Sequence, residues 1–272
     1  MGMATLVCFH AHPDDEAIGT GGTIARAAAM GHRVVLVVAT GGEHGEVPPD
    51  LAEGETLVDR RRVETDRSAR ALGIARVAFL GYRDSGMTGW EQNSHADAFM
   101  NAPLDEAAER LAVILREEGA DVVTMYDWHG GYGHPDHVAV HRVGHRAAEL
   151  AATPNVYENT MNRDEMDRFM KMAKEAALDG GTEIPEFGTE EAPGTDDGNP
   201  FGMPEADLTT KVDVTAFIDQ KRQSLRAHSS QVTDSSFFMQ MPEELFTTVF
   251  GTEWFIRSGT GGGVTEDWLA GL

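Results

Sequence analysis

The stretch Thr5-Leu6-Val7-Cys8-Phe9-His10-Ala11-His12-Pro13-Asp14-Asp15-Glu16 decides how the rest of the chain is read. Thr5 to Phe9 is a short apolar run ending in His10, the pattern of a buried strand. The turn that follows carries an imidazole and two adjacent carboxylates. Glu16 to Met30 then has the pattern of a helix, stopped by Gly31. Asp14 or Asp15 can cap that helix, where a carboxylate is stabilised by the exposed N–H groups. A metal ligand at the same turn is compatible with a cap: His12 and Asp15 can present an imidazole and a carboxylate to one ion, leaving Asp14 beside them unligated.

The strand–turn–helix unit repeats. Arg33–Thr40 is a Val-rich strand bounded by Gly41-Gly42, followed by a charged helix from about Glu55 to Leu72. Val77–Tyr82 (strand), Leu104–Glu118 (helix), Asp121–Tyr126 (strand) and Asp136–Ala151 (helix) complete the series. Continuous apolar strands separated by helices predict an α/β fold, a Rossmann-like, mostly parallel sheet with helices on both faces. Ligands of such sheets lie beyond the carboxyl ends of the strands. That rule selects four loops: His10–Glu16, Gly41–Pro49, Tyr82–Trp90 and Tyr126–His137. After this 1–150 core, residues 151–272 read as a smaller, less regular part of the same domain. It holds a helix (Arg163–Leu178), an acidic, flexible insert at about 180–204, a strand (Leu208–Val214), a helix (Phe217–His228) and a flexible Gly259–Gly263.

Composition removes several function classes. Twenty-two basic against 45 acidic residues give a net charge of −23, which repels phosphate backbones and anionic membranes, so neither is an expected partner. No run of about 18 apolar residues suggests a membrane span. The start of the chain lacks a basic region, so no signal peptide is read there. The one cysteine, Cys8, cannot form an internal disulfide, which suits a reducing cytoplasm. It reads as a small buried hydrophobe without a paired base.

A second cluster follows the fourth strand: Gly130-Gly131-Tyr132-Gly133-His134-Pro135-Asp136-His137, with His141 one further turn along. A solvated loop with capping residues accounts poorly for two histidines and an aspartate among so many glycines and prolines. The two clusters, on loops of one sheet edge, supply a His/Asp/His set suited to zinc with an open position for water. The same ligand types also suit Fe2+, nickel and manganese.

The paired AHPDDE and HPDH motifs resemble the PIG-L/LmbE-like deacetylase family. The stretches TGGEHGEV (40–47), YRDSGM (82–87) and YDWHGGYGHPDH (126–137) are most similar to its mycothiol branch, which contains a deacetylase and a conjugate amidase. The resemblance covers residues 4 to about 150 and recurs more weakly at His228-Ser229-Ser230-Gln231. It implies that His12, Asp15 and His137 are the metal ligands. It further implies that Asp14 is the general base, that His134 is the charged or acidic partner oriented by Asp136, and that Tyr132 donates to the developing oxyanion. Arg61, which with Glu64 begins an R-x-x-E helix, and Asp84 are the implied substrate-binding residues, and Glu46, from its place in the second loop, is a third candidate. One departure is His129, which stands where the mycothiol enzymes usually carry Asn.

The expected activity is zinc-dependent removal of an N-acetyl group from an N-acetylglucosaminyl-type substrate resembling a mycothiol precursor. Amide cleavage of a thiol conjugate and deacetylation of an antibiotic-pathway amino sugar are the alternatives within this chemistry. A non-catalytic sugar-binding protein is the alternative outside it. A homo-oligomer is left open. Gly19-Thr20-Gly21-Gly22 is a poor dinucleotide loop, because its glycines follow the turn and two aspartates in that turn would repel a pyrophosphate. Ser85 lacks the G-x-S-x-G setting of a serine nucleophile.

Overall fold

Strand β1 (Thr5–His10) is buried along its length and alternates its side chains between two cores. Val7 and Phe9 join a cluster with Leu111 and Leu115 of one helix and Val140 and Val143 of another. Leu6 and Cys8 join a cluster on the opposite face with Ile24 and Leu72. Period-two alternation in a strand that is apolar on both faces is the signature of a sheet covered by helices on both sides. Burial pushes the Cys8 thiol up to about 12, as befits a core residue.

The computed structural model describes residues 2–178, 195 and 197–272. After β1 come α1 (Asp15–Gly19), α2 (Gly21–Ala29), β2 (Arg33–Thr40), α3 (Leu57–Leu72), β3 (Arg76–Tyr82) and α4 (Leu104–Glu118). They are followed by β4 (Val122–Tyr126), α5 (Pro135–Ala151), β5 (Asn155–Thr160), α6 (Arg163–Leu178), β6 (Thr210–Asp213) and α7 (Ile218–Ala227). The short α8 (Phe237–Gln240), α9 (Glu243–Phe250) and β7 (Thr252–Arg257) complete the order. The seven strands form one sheet in the order β3-β2-β1-β4-β5-β7-β6. β1 to β5 run parallel, and β7 is antiparallel to both β5 and β6.

The α/β reading holds, with two local differences. The helix expected over Glu16–Met30 is broken at Thr20. There the hydroxyl approaches His10 Nε2 at 2.9 Å, and the chain restarts as α2. At Gly22 a Cβ atom would collide with the Val214 side chain, so glycine is required for this close approach. The C-terminal part contributes three strands to the sheet, where the sequence reading has one. β5 and β7 carry no clear strand pattern, because Asn155-Val-Tyr-Glu-Asn-Thr160 and Thr252-Glu-Trp-Phe-Ile-Arg257 mix charged and apolar residues at short length. Most of the acidic 180–204 insert falls on residues outside those described.

β7 also secures the N-terminus of α2. The buried Glu253 carboxylate accepts hydrogen bonds from the Gly22 and Thr23 N–H groups, each at 2.8 Å, and from Lys221 Nζ of α7 at 2.7 Å. Two backbone donors and an ammonium compensate a charge otherwise costly to bury. Lys221→Met should therefore destabilise the fold by roughly 3–5 kcal/mol in urea unfolding, since it strands the carboxylate. The double variant Lys221→Met/Glu253→Gln should recover part of that loss. A single-variant loss under about 1 kcal/mol would contradict this account.

Candidate active site

The strand order reverses at β1: the chain moves outward through β2 and β3, then returns to place β4 on the other side of β1. The loops after β1 and β4 therefore meet at a switch point, where an α/β sheet opens a crevice. The first holds His12, Asp14 and Asp15. The second holds Tyr132, His134, Asp136 and His137. Here the structure outlines a cavity of about 220 Å³, whose lining includes His12, Asp14, Asp15, Arg61, Tyr132 and His134.

His12, Asp15 and His137 are brought together. His12 Nδ1 lies 3.5 Å from Asp15 Oδ2, and His137 Nε2 lies 3.5 Å from Asp15 Oδ1. The His137 ring stacks on Tyr126, with centroids 4.2 Å apart, and its Nδ1 is 3.2 Å from the Gly130 carbonyl oxygen. That bond places the ring hydrogen on Nδ1. It leaves Nε2 buried with no hydrogen-bond partner among the described residues. An orphaned imidazole nitrogen beside a carboxylate is what a metal ligand looks like without its ion. His12, His134 and His137 also offer nitrogen atoms within 4.8 Å of one another. The residues thus fit a divalent metal. Gly130 is needed for the approach: its φ is +70°, and a Cβ there would overlap His137.

His12 is held from behind. Its Nε2 faces Asp136 Oδ2 at 3.2 Å and Asp84 Oδ1 at 3.5 Å. Burial disfavours a charged His12, but Asp136, Asp15 and Asp84 hold its pKa well above the ordinary histidine value. Burial likewise opposes the charge on Asp15, yet His137 and His12 keep it well below the usual carboxylate range. The placement of Asp136 differs from its expected role of orienting His134. Its carboxylate bonds His12, the Ser85 N–H at 2.8 Å and the Ser85 hydroxyl. Only its backbone N–H reaches His134, donating to Nδ1 at 3.1 Å. The cause is the start of α5, where the side chain of Asp136 turns inward and its N–H meets the capping residue His134.

His134 is held toward the neutral form. Burial, then His12 and His137, push it down to about 3. With Nδ1 accepting, the neutral ring carries its hydrogen on Nε2. The Tyr132 ring lies 4.9 Å from that of His137 and 6.2 Å from that of His134. Its outer face stacks on Phe201 at 6.4 Å. The Gly202 N–H donates to Gly131 O at 2.8 Å, so the described end of the acidic insert leans on this loop.

Asp14 occupies the N-cap position of α1 but makes no side-chain cap bond. Its φ of +110° is uncommon for a residue with a side chain. Two buried groups sustain this turn. Arg61 of α3 donates to the carbonyl oxygens of Pro13 and Gly42 and meets Asp14 Oδ2 at 3.1 Å. Glu16 Oε2 accepts from the Asp14 N–H at 3.0 Å. Burial raises the Asp14 carboxyl to about 6, and Arg61 limits the rise. Arg61 thus faces the cavity while serving the turn.

The other expected substrate contacts separate. Asp84 lines the cavity, but its oxygens accept from Gly86 N at 2.8 Å and His44 N at 3.3 Å as well as facing His12. Glu46 is exposed outside the cavity lining, and its backbone N–H and carbonyl bond the Gln231 side chain. Glu64 is buried, accepting from Ser229 and Ser230. His129, also buried, has neither ring nitrogen hydrogen-bonded among the described residues and lies 3.6 Å from Asp197. It does not line the cavity.

Two further positions have roles that the sequence motifs do not announce. Ser85 holds Asp136. Glu16, held down to about 2 by His228 against the effect of burial, links α1 to His228 Nε2 at 2.6 Å and to Ser68. Their signal was adjacency alone: Ser85 follows Asp84, and Glu16 closes the AHPDDE run.

The family model described as PIG-L, GlcNAc-PI de-N-acetylase, matches residues 7–148. A protein of Streptomyces avermitilis named 1D-myo-inositol 2-acetamido-2-deoxy-alpha-D-glucopyranoside deacetylase is 40% identical, across 92% of this chain and 90% of that protein. One of the same name from Salinispora arenicola is 38% identical, across 98% and 91%. Among solved structures, the N,N'-diacetylchitobiose deacetylase of Pyrococcus horikoshii is 27% identical with a TM-score of 0.56, across 93% of this chain and 83% of that one. The match spans both loops of the switch point and the identities extend over nearly the whole chain, and so this protein belongs to the PIG-L family of de-N-acetylases.

Proposed function

We propose that the chain is a zinc-dependent N-deacetylase of an N-acetylglucosaminyl-inositol-type substrate, with His12, Asp15 and His137 holding the metal. The observation that carries this reading is the unpartnered Nε2 of His137, buried 3.5 Å from Asp15 and backed through Nδ1 by Gly130. The names of the two actinobacterial relatives point to the sugar.

A zinc ion bound there would supply a nucleophilic water near neutral pH and polarise the amide carbonyl. The residues around it do the rest. Asp14, kept free of cap duty and held by Arg61, takes the proton of the attacking water and passes it to the departing amine. Its raised pKa suits both halves of that exchange. His134 offers an Nε2–H to the oxygen that gains charge, and Tyr132 closes the same side. Asp84 and Asp136 act through His12, fixing its ring so that Nδ1 faces Asp15. Among the described residues no helix is long and apolar enough to cross a membrane.

The separation of roles predicts a split between two variants. Asp14→Asn should keep its zinc while kcat falls about 10²–10⁴-fold. His137→Ala should lose both zinc and turnover. Elemental analysis beside an acetate-release assay reads the two together, and equal metal content in the variants would count against these assignments.

Treatment of the wild-type protein with a chelator should abolish release of new amine from N-acetylglucosaminyl-inositol, and added zinc should restore it. Activity that survives complete removal of metal would sink the zinc reading. Restored activity on a thiol conjugate, with none on N-acetylglucosaminyl-inositol, would retain the amide chemistry and replace the substrate.

A further inference from the structure

Helix α5 carries more metal-binding chemistry than the active site uses. His141 and His145 are spaced i, i+4, so their rings share one face of the helix, with centroids 4.6 Å apart. That face looks onto β5, where Glu158 stands in register with Met125 of β4. His145 Nε2 is 2.7 Å from Glu158 Oε1, and His141 Nδ1 is 3.8 Å from the same oxygen. One ligand atom from each of the three residues lies within 4.8 Å of the other two. We propose that His141, His145 and Glu158 form a second divalent-cation site, suited to zinc and separate from the His12/Asp15/His137 centre.

The dimensions support it. A tetrahedral zinc with arms of about 2.0–2.2 Å spaces its ligand atoms by about 3.3–3.6 Å, inside the 4.8 Å that already encloses one ligand atom from each of the three residues. The three side chains are partly exposed, which gives an ion a way in and leaves a fourth position for water. Burial pushes His141 below the ordinary histidine value, toward the neutral ring that a metal requires. Its Nδ1 lies 3.1 Å from the Tyr126 carbonyl oxygen, which places the ring hydrogen there and leaves Nε2 as the nitrogen that would take the metal. Asp127 adds negative charge nearby.

Such a site has a structural consequence. It would tie α5 to β5 one to two turns beyond His137, on the helix whose first residues build the catalytic loop. Tyr126 stacks on His137 while its carbonyl meets His141, so the two sites share one strand end. None of the three proposed ligands lines the active-site cavity.

The test is zinc stoichiometry of the full chain, by elemental analysis after equilibration with buffered zinc and gel filtration. Wild-type protein should bind two zinc ions per chain, and His145→Ala and Glu158→Gln one fewer each, with acetate release kept. Glu158→Gln preserves shape, so a folding defect in His145→Ala would not decide the matter. His137→Ala should empty the first site and keep the second, which separates this proposal from the reading of the active site. Wild-type zinc content retained in either His145→Ala or Glu158→Gln overturns the second site.

Discussion

The 3.2 Å contact between His12 and Asp136 joins residues 124 positions apart and closes the seam on which the site depends. His12 belongs to the loop after β1 and Asp136 to the first turn of α5. The two segments leave the sheet toward opposite faces, and nothing in the local chain holds them together. The carboxylate that grips His12 is itself gripped by Ser85 from the loop after β3. Three loops of the parallel sheet therefore converge on one buried imidazole. The cost of burying these charges is offset because each carboxylate meets an imidazole or N–H donors.

A second layer holds the turn that presents Asp14. Arg61 reaches from α3 to two carbonyl oxygens and to Asp14, while Glu16 takes the Asp14 N–H on one oxygen and His228 on the other. His228 follows α7, far along the chain, and Ser229 and Ser230 continue the same contact onto Glu64 of α3. A backbone φ of +110° at Asp14 is thus maintained from both sides. The strained residue is also the one whose carboxylate escapes helix capping. Strain and the proposed catalytic role coincide at this one residue.

The C-terminal part matters to the site through the sheet. β7 supplies Glu253 to the N-terminus of α2, and β5 supplies Asn159, against which Gly19 packs. The segment before β6 places Phe201 on Tyr132. Removing these elements would leave the parallel core with one edge uncovered and the Tyr132–His137 loop without its outer wall. The region that looks least regular in sequence completes the scaffold around the chemistry.

The sequence by itself determined the α/β class, the four loops beyond the strand ends and the grouping of His12, Asp14, Asp15, His134 and His137. Each follows from local rules: apolar runs alternate with helical periodicity, and clustered imidazoles and carboxylates in tight turns have few other uses. It could not show that Asp136 would serve His12, that Arg61 would clamp the turn, or that Glu46 would stand outside the cavity. Only the tertiary structure decided those, because the direction of a side chain at a loop depends on partners that arrive from distant strands. Strands β5 and β7 were hidden for a related reason. A short mixed sequence becomes a strand when a neighbouring edge offers it hydrogen bonds, and that edge exists only once the sheet has formed.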